Sequence, residues 1–263
     1  MRLLPTRLKA GFFWYSSPRL YLVWQLLLRE GVARTRGTLL GMAWLFIQPA
    51  LQVSALWLLF DGILHARSGG VGGSLQYFLI AMTFWLPVQD VCSRSLMVLS
   101  DYGSIYQRTV FPIHVLPLIP VLLSFLIFGP IALLISGLFS GWTGLLSGLM
   151  LQLLIFLGLL PVAYGLSILG LFIRESRQVI PFLLTVLLYL SPILYASAAY
   201  PSWLAPWEKL NPVADLVDFG TSLILEGRIE IIPILRLFLG WVLMIAIIWP
   251  IFYRAMPYVR EEL

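Results

Sequence analysis

Two charged residues one helical turn apart, Asp90 and Arg94, interrupt an otherwise apolar stretch, LIAMTFWLPVQDVCSRSLMVL, residues 79–99. An ion at bilayer depth is costly, and residues four apart share one face of a helix. The pair is therefore expected to be either a structural ion pair or part of a polar stripe along a transport path. In a carrier driven by protons, Asp90 would be the proton site. Little other chemistry is on offer. A phosphate-binding GxxxxGK[ST] loop is absent, since neither Lys9 nor Lys209 has the glycine before it or the hydroxyl after it that such a loop requires. GxSxG and HExxH are absent too, the histidines at 65 and 114 have no metal-ligand spacing, and a lone Cys92 excludes an internal disulfide. No catalytic residue, metal or cofactor is expected in this chain. A conduit or scaffold fits these residues better than an enzyme.

The elements that must position these charges are membrane helices. Apolar and aromatic residues make up 60 % of the chain and charged ones 11 %, against about 25 % charged in an ordinary soluble domain. About 20 helical residues cross about 30 Å of hydrocarbon, and six candidate spans fall at 38–63, 75–99, 113–138, 147–172, 179–197 and 232–253. The chain reads as one all-α transmembrane unit over residues 1–263. Prolines inside the spans (Pro49, Pro87, Pro130, Pro161 and Pro192) predict kinks that neighbouring helices must compensate. Glycines at 37 and 41, and at 137, 141, 144 and 148, have the spacing that lets helix backbones approach, either within the chain or at a dimer seam. No removable signal peptide is evident, so the amino terminus is expected to stay in the mature protein.

Six spans place both termini on one side. Arginine and lysine at 2, 7, 9, 19, 29, 34, 36, 108, 174, 177, 254 and 260 gather on that side, with Arg94 near it, whereas only Arg67, Lys209, Arg228 and Arg236 lie opposite. Both termini are thus expected in the cytoplasm. Arg34 and Arg36, at the entry of the first span, read as retention charges or contacts to anionic lipid, with a specific partner contact as the alternative. Residues 19–34, RLYLVWQLLLREGVAR, are too charged to cross the bilayer. Arg19, Gln25, Arg29, Glu30 and Arg34 fall on one half of a helical wheel; Tyr21, Trp24, Leu27, Leu28 and Val32 fall mostly on the other, with Leu22, Val23 and Leu26 intruding on the polar half. That predicts an amphipathic helix lying in the cytoplasmic interface. Between spans two and three, SDYGSIYQRTVFPIHVLP carries Asp101 or Ser104 as a possible cap for a short amphipathic helix bearing Tyr102, Tyr106 and Arg108.

WQLLLREGVARTRGTLLGMAWLFIQP followed by GSIYQRTVFPIHVLP, and further on ESRQVIPFLLTVLLYLSPILY and KLNPVADLVDFG, resemble the permease subunit of ABC exporters for lipid-linked polysaccharide: the Wzm, teichoic-acid and capsule exporter permeases. The likeness runs from about residue 19 to 253. It implies that residues 19–34 are the interface helix and that Asp101 to Arg108, with Ser104 and Tyr106, include a coupling helix docked on a nucleotide-binding ATPase subunit. Arg174, Glu175 and Arg177 would be a second, smaller contact. Two permeases and two ATPases would form the working unit in a bacterial inner membrane, with ATP and Mg on the partner and the export path between the permeases. The implied partners are that ATPase, a second copy of this chain, membrane lipids and the lipid-linked glycan, O-antigen-like; nucleic acid is not among them. Rival readings are an ABC permease for a drug, lipid or other small cargo, and an ion-coupled carrier working alone.

Sugars stack their CH-rich faces on aromatic rings, and weak multi-site binding permits motion. Trp44, Trp57, Phe60, Tyr77, Phe84 and Trp85 are candidate path residues, the alternative being rings that face lipid or neighbouring helices. Residues 198–224, broken by Pro201, Pro206 and Pro212, predict short re-entrant helices at the outer face. There Trp203 and Trp207 are interfacial belt residues or, with Asp215 and Asp218, an outer gate.

Overall fold

A computed structural model describes residues 18–63, 75–106, 113–194, 211–228 and 231–262, and no strand occurs among them. Among the described residues seven α-helices carry the architecture: α1 Pro18–Thr35, α2 Trp44–Trp57, α3 Leu75–Tyr106, α4 Leu118–Phe172, α5 Ser176–Leu190, α6 Pro212–Thr221 and α7 Ile231–Glu262. By length and mean hydropathy, Ile113–Phe172 and Ile231–Val259 are long and apolar enough to cross a bilayer, and Ser176–Leu190 is apolar but shorter. The expected third and fourth spans are the two arms of α4. They fold back at Gly141, whose φ of 59° and ψ of −137° fit glycine and strain any side chain.

Close approach explains the other glycines of that hairpin. A methyl group at Gly144 would collide with the Ser136 carbonyl oxygen, and one at Gly148 with the Ser136 side chain. In a straight helix Ser136 and Gly148 would be about 18 Å apart. The 137, 144 and 148 spacing thus packs arm on arm within the chain. Gly37 and Gly41 do something else: both take positive φ, 82° and 52°, in the turn between α1 and α2, with open space around them.

α3 is the central post, its buried side made of Phe78, Ile80, Phe84, Trp85, Val91, Leu96 and Leu99. The second arm of α4 lies so close that a Cβ at Gly170 would overlap the Leu96 carbonyl. α6 covers the other end of α3, with Gly220 against the Phe84 ring. Asn211 starts α6: its Oδ1 accepts the Val213 backbone N–H at 3.0 Å, its Nδ2 donates to Ser191 Oγ at 2.8 Å, and Pro212 follows at the first helical position.

Three expectations need correction. The segment at 101–106 is not a separate capped helix, because α3 runs unbroken through it to Tyr106. Pro192 is not inside a span: α5 ends at Leu190, and the residue after Ser191 is the proline that stops it. The amphipathic division of α1 is also different. Leu26, Leu27 and Gly31 turn inward together with half-buried Leu22, Val23, Glu30 and Arg34, while Tyr21, Trp24, Leu28 and Val32 are exposed. The supposed intruders are the packing face, and the apolar stripe faces out.

Candidate functional site

Two long loops of contacts tie the ends of the bundle. At one end lie α1, the last turns of α3 and the turn between α4 and α5. Arg34 Nη1 donates to Asp90 Oδ1 at 3.0 Å and Oδ2 at 3.1 Å, and Arg34 Nε lies 3.5 Å from Glu30 Oε1. Tyr102 donates its hydroxyl to Glu30 Oε2 at 3.3 Å, and the Arg29 guanidinium stands 5.0 Å over the Tyr102 ring, within cation–π range. Arg177 closes the set, with Nε to the Gly170 carbonyl at 2.9 Å and Nη2 to Ser100 Oγ at 2.5 Å.

This network revises several sequence expectations. Asp90 is paired with Arg34 on α1, not with Arg94 one turn along its own helix. The physical reason is register: α1 crosses α3 so that a buried guanidinium, 6 % exposed, reaches a carboxylate that is itself 19 % exposed. Arg94 points to the exposed side and makes no ion pair among the described residues. Arg177 is an inward clasp rather than a free docking charge, whereas its neighbours Arg174 and Glu175 are exposed. Asp101 is exposed at the end of α3, and Tyr102 is buried. The Asp101 carboxyl is pushed up, first by loss of solvent and then by Glu30, against Arg177 and Arg94, which pull it down. Burial, and after it the Glu30 charge, likewise pushes the Tyr102 hydroxyl up. Ser104 and Tyr106 belong to the last turn of α3, and Arg108 lies outside the described residues. Arg36 is exposed in the turn after α1; Arg19 begins that helix.

Beside the network opens a polar cavity of about 370 Å³ between α1, α2, α3, α4 and α5. Arg34, Asp90, Arg94 and Arg177 line it together with three glutamines, Gln48, Gln52 and Gln89. Gln52 donates to Gln89 at 3.1 Å, joining α2 to α3 across the wall. The glutamines were not singled out in the sequence, although a signal exists: Gln48 and Gln52 are four apart on α2, and Gln89, Asp90, Ser93 and Arg94 repeat on one side of α3.

The aromatic candidates divide. Trp44 lines the cavity. Tyr77, Phe84 and Trp85 do not line a path within this chain; they are 8 %, 1 % and 0 % exposed inside its core. Tyr77 donates to the Pro192 carbonyl at 2.9 Å and to Asp218 at 3.4 Å, and Phe84 backs onto Gly220. Trp57 is half-buried at the end of α2, and Phe60 falls in the widened turn Leu58–Ile63 that follows. At the opposite end of the bundle Asp215 pairs with Arg236 at 3.1 Å, and the Ser140 hydroxyl at the hairpin tip donates to the Ile224 carbonyl. Trp203 and Trp207 lie outside the described residues. No group of three or more His, Cys, Asp or Glu placed to hold a metal occurs among the described residues.

Apolar helices of crossing length around a charged, glutamine-lined cavity, with no strand among the described residues, are the make-up of an integral membrane protein. Residues 21–224 match the ABC-2 type transporter family, and the chain is a member of it. Among similar proteins is an O-antigen export system permease protein RfbA of Klebsiella pneumoniae, 28 % identical over 207 residues, covering 75 % of this chain and 77 % of the relative. A protein of the same name from Myxococcus xanthus is 23 % identical over 210 residues, covering 76 % and 79 %.

Proposed function

We propose that this chain is the membrane-spanning subunit of an ATP-driven exporter that moves a lipid-linked polysaccharide of O-antigen type across a bacterial inner membrane. The observation that carries the reading is the family membership combined with similarity to O-antigen export permeases over about three-quarters of both chains. In this reading the chain crosses the bilayer six times with both termini in the cytoplasm, and two copies pair with two ATPase subunits that hold ATP and Mg. The arginine-rich end, with Arg29, Arg34, Arg174 and Arg177, is the cytoplasmic one.

Mechanically, the ATPase would bear on the end of α3, Asp101 to Tyr106, and on exposed Arg174 and Glu175. Tyr102 sits at the root of that segment and grips Glu30 and Arg29 of α1. A push there would move α1 and, through Arg34 and Asp90, the wall of the cavity. A proton-coupled carrier finds less support, because the acid it would need is already engaged by Arg34.

The test is co-expression with the ATPase of the same export system. The two subunits should co-purify, and cells carrying Asp101→Arg together with Glu175→Arg should accumulate unexported glycan while the permease stays at normal levels. Transport by the permease alone, following a pH gradient, would sink the reading.

A further inference from the structure

α3 carries Pro87 in its interior, and a proline there leaves the carbonyl four residues back, that of Thr83, without its helical donor. The Thr83 hydroxyl does not replace that donor, because it is spent on the Ile80 carbonyl at 2.7 Å. Membrane helices tolerate such a break where a neighbouring group or an ordered water supplies the bond. The two halves of α3 on either side of Pro87 also have different attachments. Before it, Tyr77 reaches the Pro192 carbonyl and Phe84 lies against Gly220 of α6. After it, Asp90 meets Arg34 and Tyr102 meets Glu30, both on α1.

A small cavity of about 10 Å³ sits beside Pro87, between α3 and the two arms of α4. Ser124 of the first arm and Gln152 of the second line it, and they are 1 % and 3 % exposed. Neither Ser124 Oγ nor Gln152 Nε2 has a hydrogen-bond partner among the described residues. Ser124 differs in this from Ser136, further along the same arm, which donates back to the Ala132 carbonyl at 2.8 Å as helix serines often do. The rest of the lining is apolar, and the Phe125 and Phe156 rings, 5.5 Å apart and edge to face, bridge the two arms. One water needs about 10–15 Å³ and two to four polar partners. The cavity has that room and two side-chain partners, and helix geometry aims the freed Thr83 carbonyl at the Pro87 ring that lines it.

We propose that one ordered water binds here, accepting from Gln152 Nε2 and the Ser124 hydroxyl and donating to the Thr83 carbonyl, and that this hydrated kink is the hinge of α3. The half of α3 joined to α1 swings about it against the half fixed to α6. The hinge rests on the reading of the chain as an exporter subunit; the water site does not.

Hydroxyl-radical labelling by X-ray radiolysis, with the full-length chain in phosphatidylcholine nanodiscs and isotope-labelled water, reads the site, because a bound water passes its oxygen to the rings beside it. Phe125 and Phe156 should be labelled about fivefold faster than Phe84, which lies one turn before Pro87 and is 1 % exposed in the dry core. Ser124→Ala combined with Gln152→Leu removes both side-chain partners and should bring the two rings down to the Phe84 rate, a fall that exposure of the rings to their surroundings would not produce. In the assembled complex this double variant and, separately, Pro87→Ala, which gives the Thr83 carbonyl its backbone donor, should each slow export about threefold at unchanged permease level and ATP hydrolysis. The proposal is overturned if the two rings are labelled no faster than Phe84, if the double variant is labelled like the parent, or if both variants export at the parent rate. Labelling lost with ATPase co-purification intact removes this site alone; labelling present with no ATPase partner removes the exporter reading and the hinge that rests on it.

Discussion

The two ends of the molecule are held together by different chemistry. At the arginine-rich end, α1, α3 and the α4–α5 turn are joined by side chain to side chain: Arg34 to Asp90, Tyr102 to Glu30, Arg29 over Tyr102, Arg177 to Ser100. At the opposite end backbone and side-chain ties are mixed: Tyr77 donates to the Pro192 carbonyl and Ser140 to the Ile224 carbonyl, while Asn211 donates to Ser191 Oγ and Asp215 pairs with Arg236. The ion pair there, Asp215–Arg236, is half in solvent. Backbone ties fix a shape, whereas ties between side chains on separate helices can let go as units. In the proposed exporter, the α1–α3 contacts beside Asp101 would be the ones to move, with the far end as the frame.

Arg34→Ala should be the most damaging change. It leaves Asp90 part-buried and unpaired, and breaking a buried pair from one side costs about 3–5 kcal/mol. Denaturant titration of the detergent-purified chain reads the loss; removing both partners, in Arg34→Met with Asp90→Leu, should restore most of it. If Arg34→Ala unfolds like the parent protein, the inner network is not what holds α1, and the contrast between the ends fails.

Asn211→Ala tests the anchored end. It removes a helix cap, worth about 1 kcal/mol, and the bond that Asn211 donates to Ser191 Oγ, whose hydroxyl keeps its own bond to the Leu187 carbonyl. The expected loss is about 1–2 kcal/mol in the same titration, with export in cells close to normal, because nothing at that end is asked to move. Tyr102→Phe inverts the pattern. It keeps the ring under Arg29 and deletes only the bond to Glu30, so stability should fall by about 1 kcal/mol. ATP hydrolysis in the assembled complex should then proceed while export drops. Equal losses of hydrolysis and export would show that Tyr102 merely supports the fold.

How much of this was legible follows from which forces are local. Apolar runs are written in neighbouring residues and mark the long helices; the stop at Ser191–Pro192 and the Asn211–Pro212 helix start are just as local, yet the expected fifth span ran through Pro192 to residue 197. The glycine at 141 marked a break between two spans, and the structure makes it the tip of a hairpin. Asp90 and Arg94 satisfied the local rule for a pair, yet a tertiary contact 56 residues away in sequence won, because Arg34 brings a buried guanidinium that the exposed Arg94 cannot match. The α1 wheel misled for a related reason: a helix wedged between lipid and protein has two apolar faces, and hydrophobicity alone does not say which one packs. The core aromatics Phe84 and Trp85 read as path residues because a ring buried against Gly220 and a ring that stacks a sugar have the same sequence signature.

The smallest expected effect is at Asp215–Arg236. Its partners are 21 % and 53 % exposed, so solvent screens the attraction and two long side chains lose freedom to make it. Arg236→Ala should cost between about 0 and 1 kcal/mol, and a double-mutant cycle with Asp215→Ala should give a coupling that vanishes as salt is raised toward 1 M, where the screening length falls to about 3 Å. The Arg34–Asp90 coupling, enclosed by protein, should persist under the same salt. A coupling at Asp215–Arg236 that survives high salt would mean that this pair is shielded as well, by a second copy of the chain or by lipid, and both ends would then share the same kind of latch.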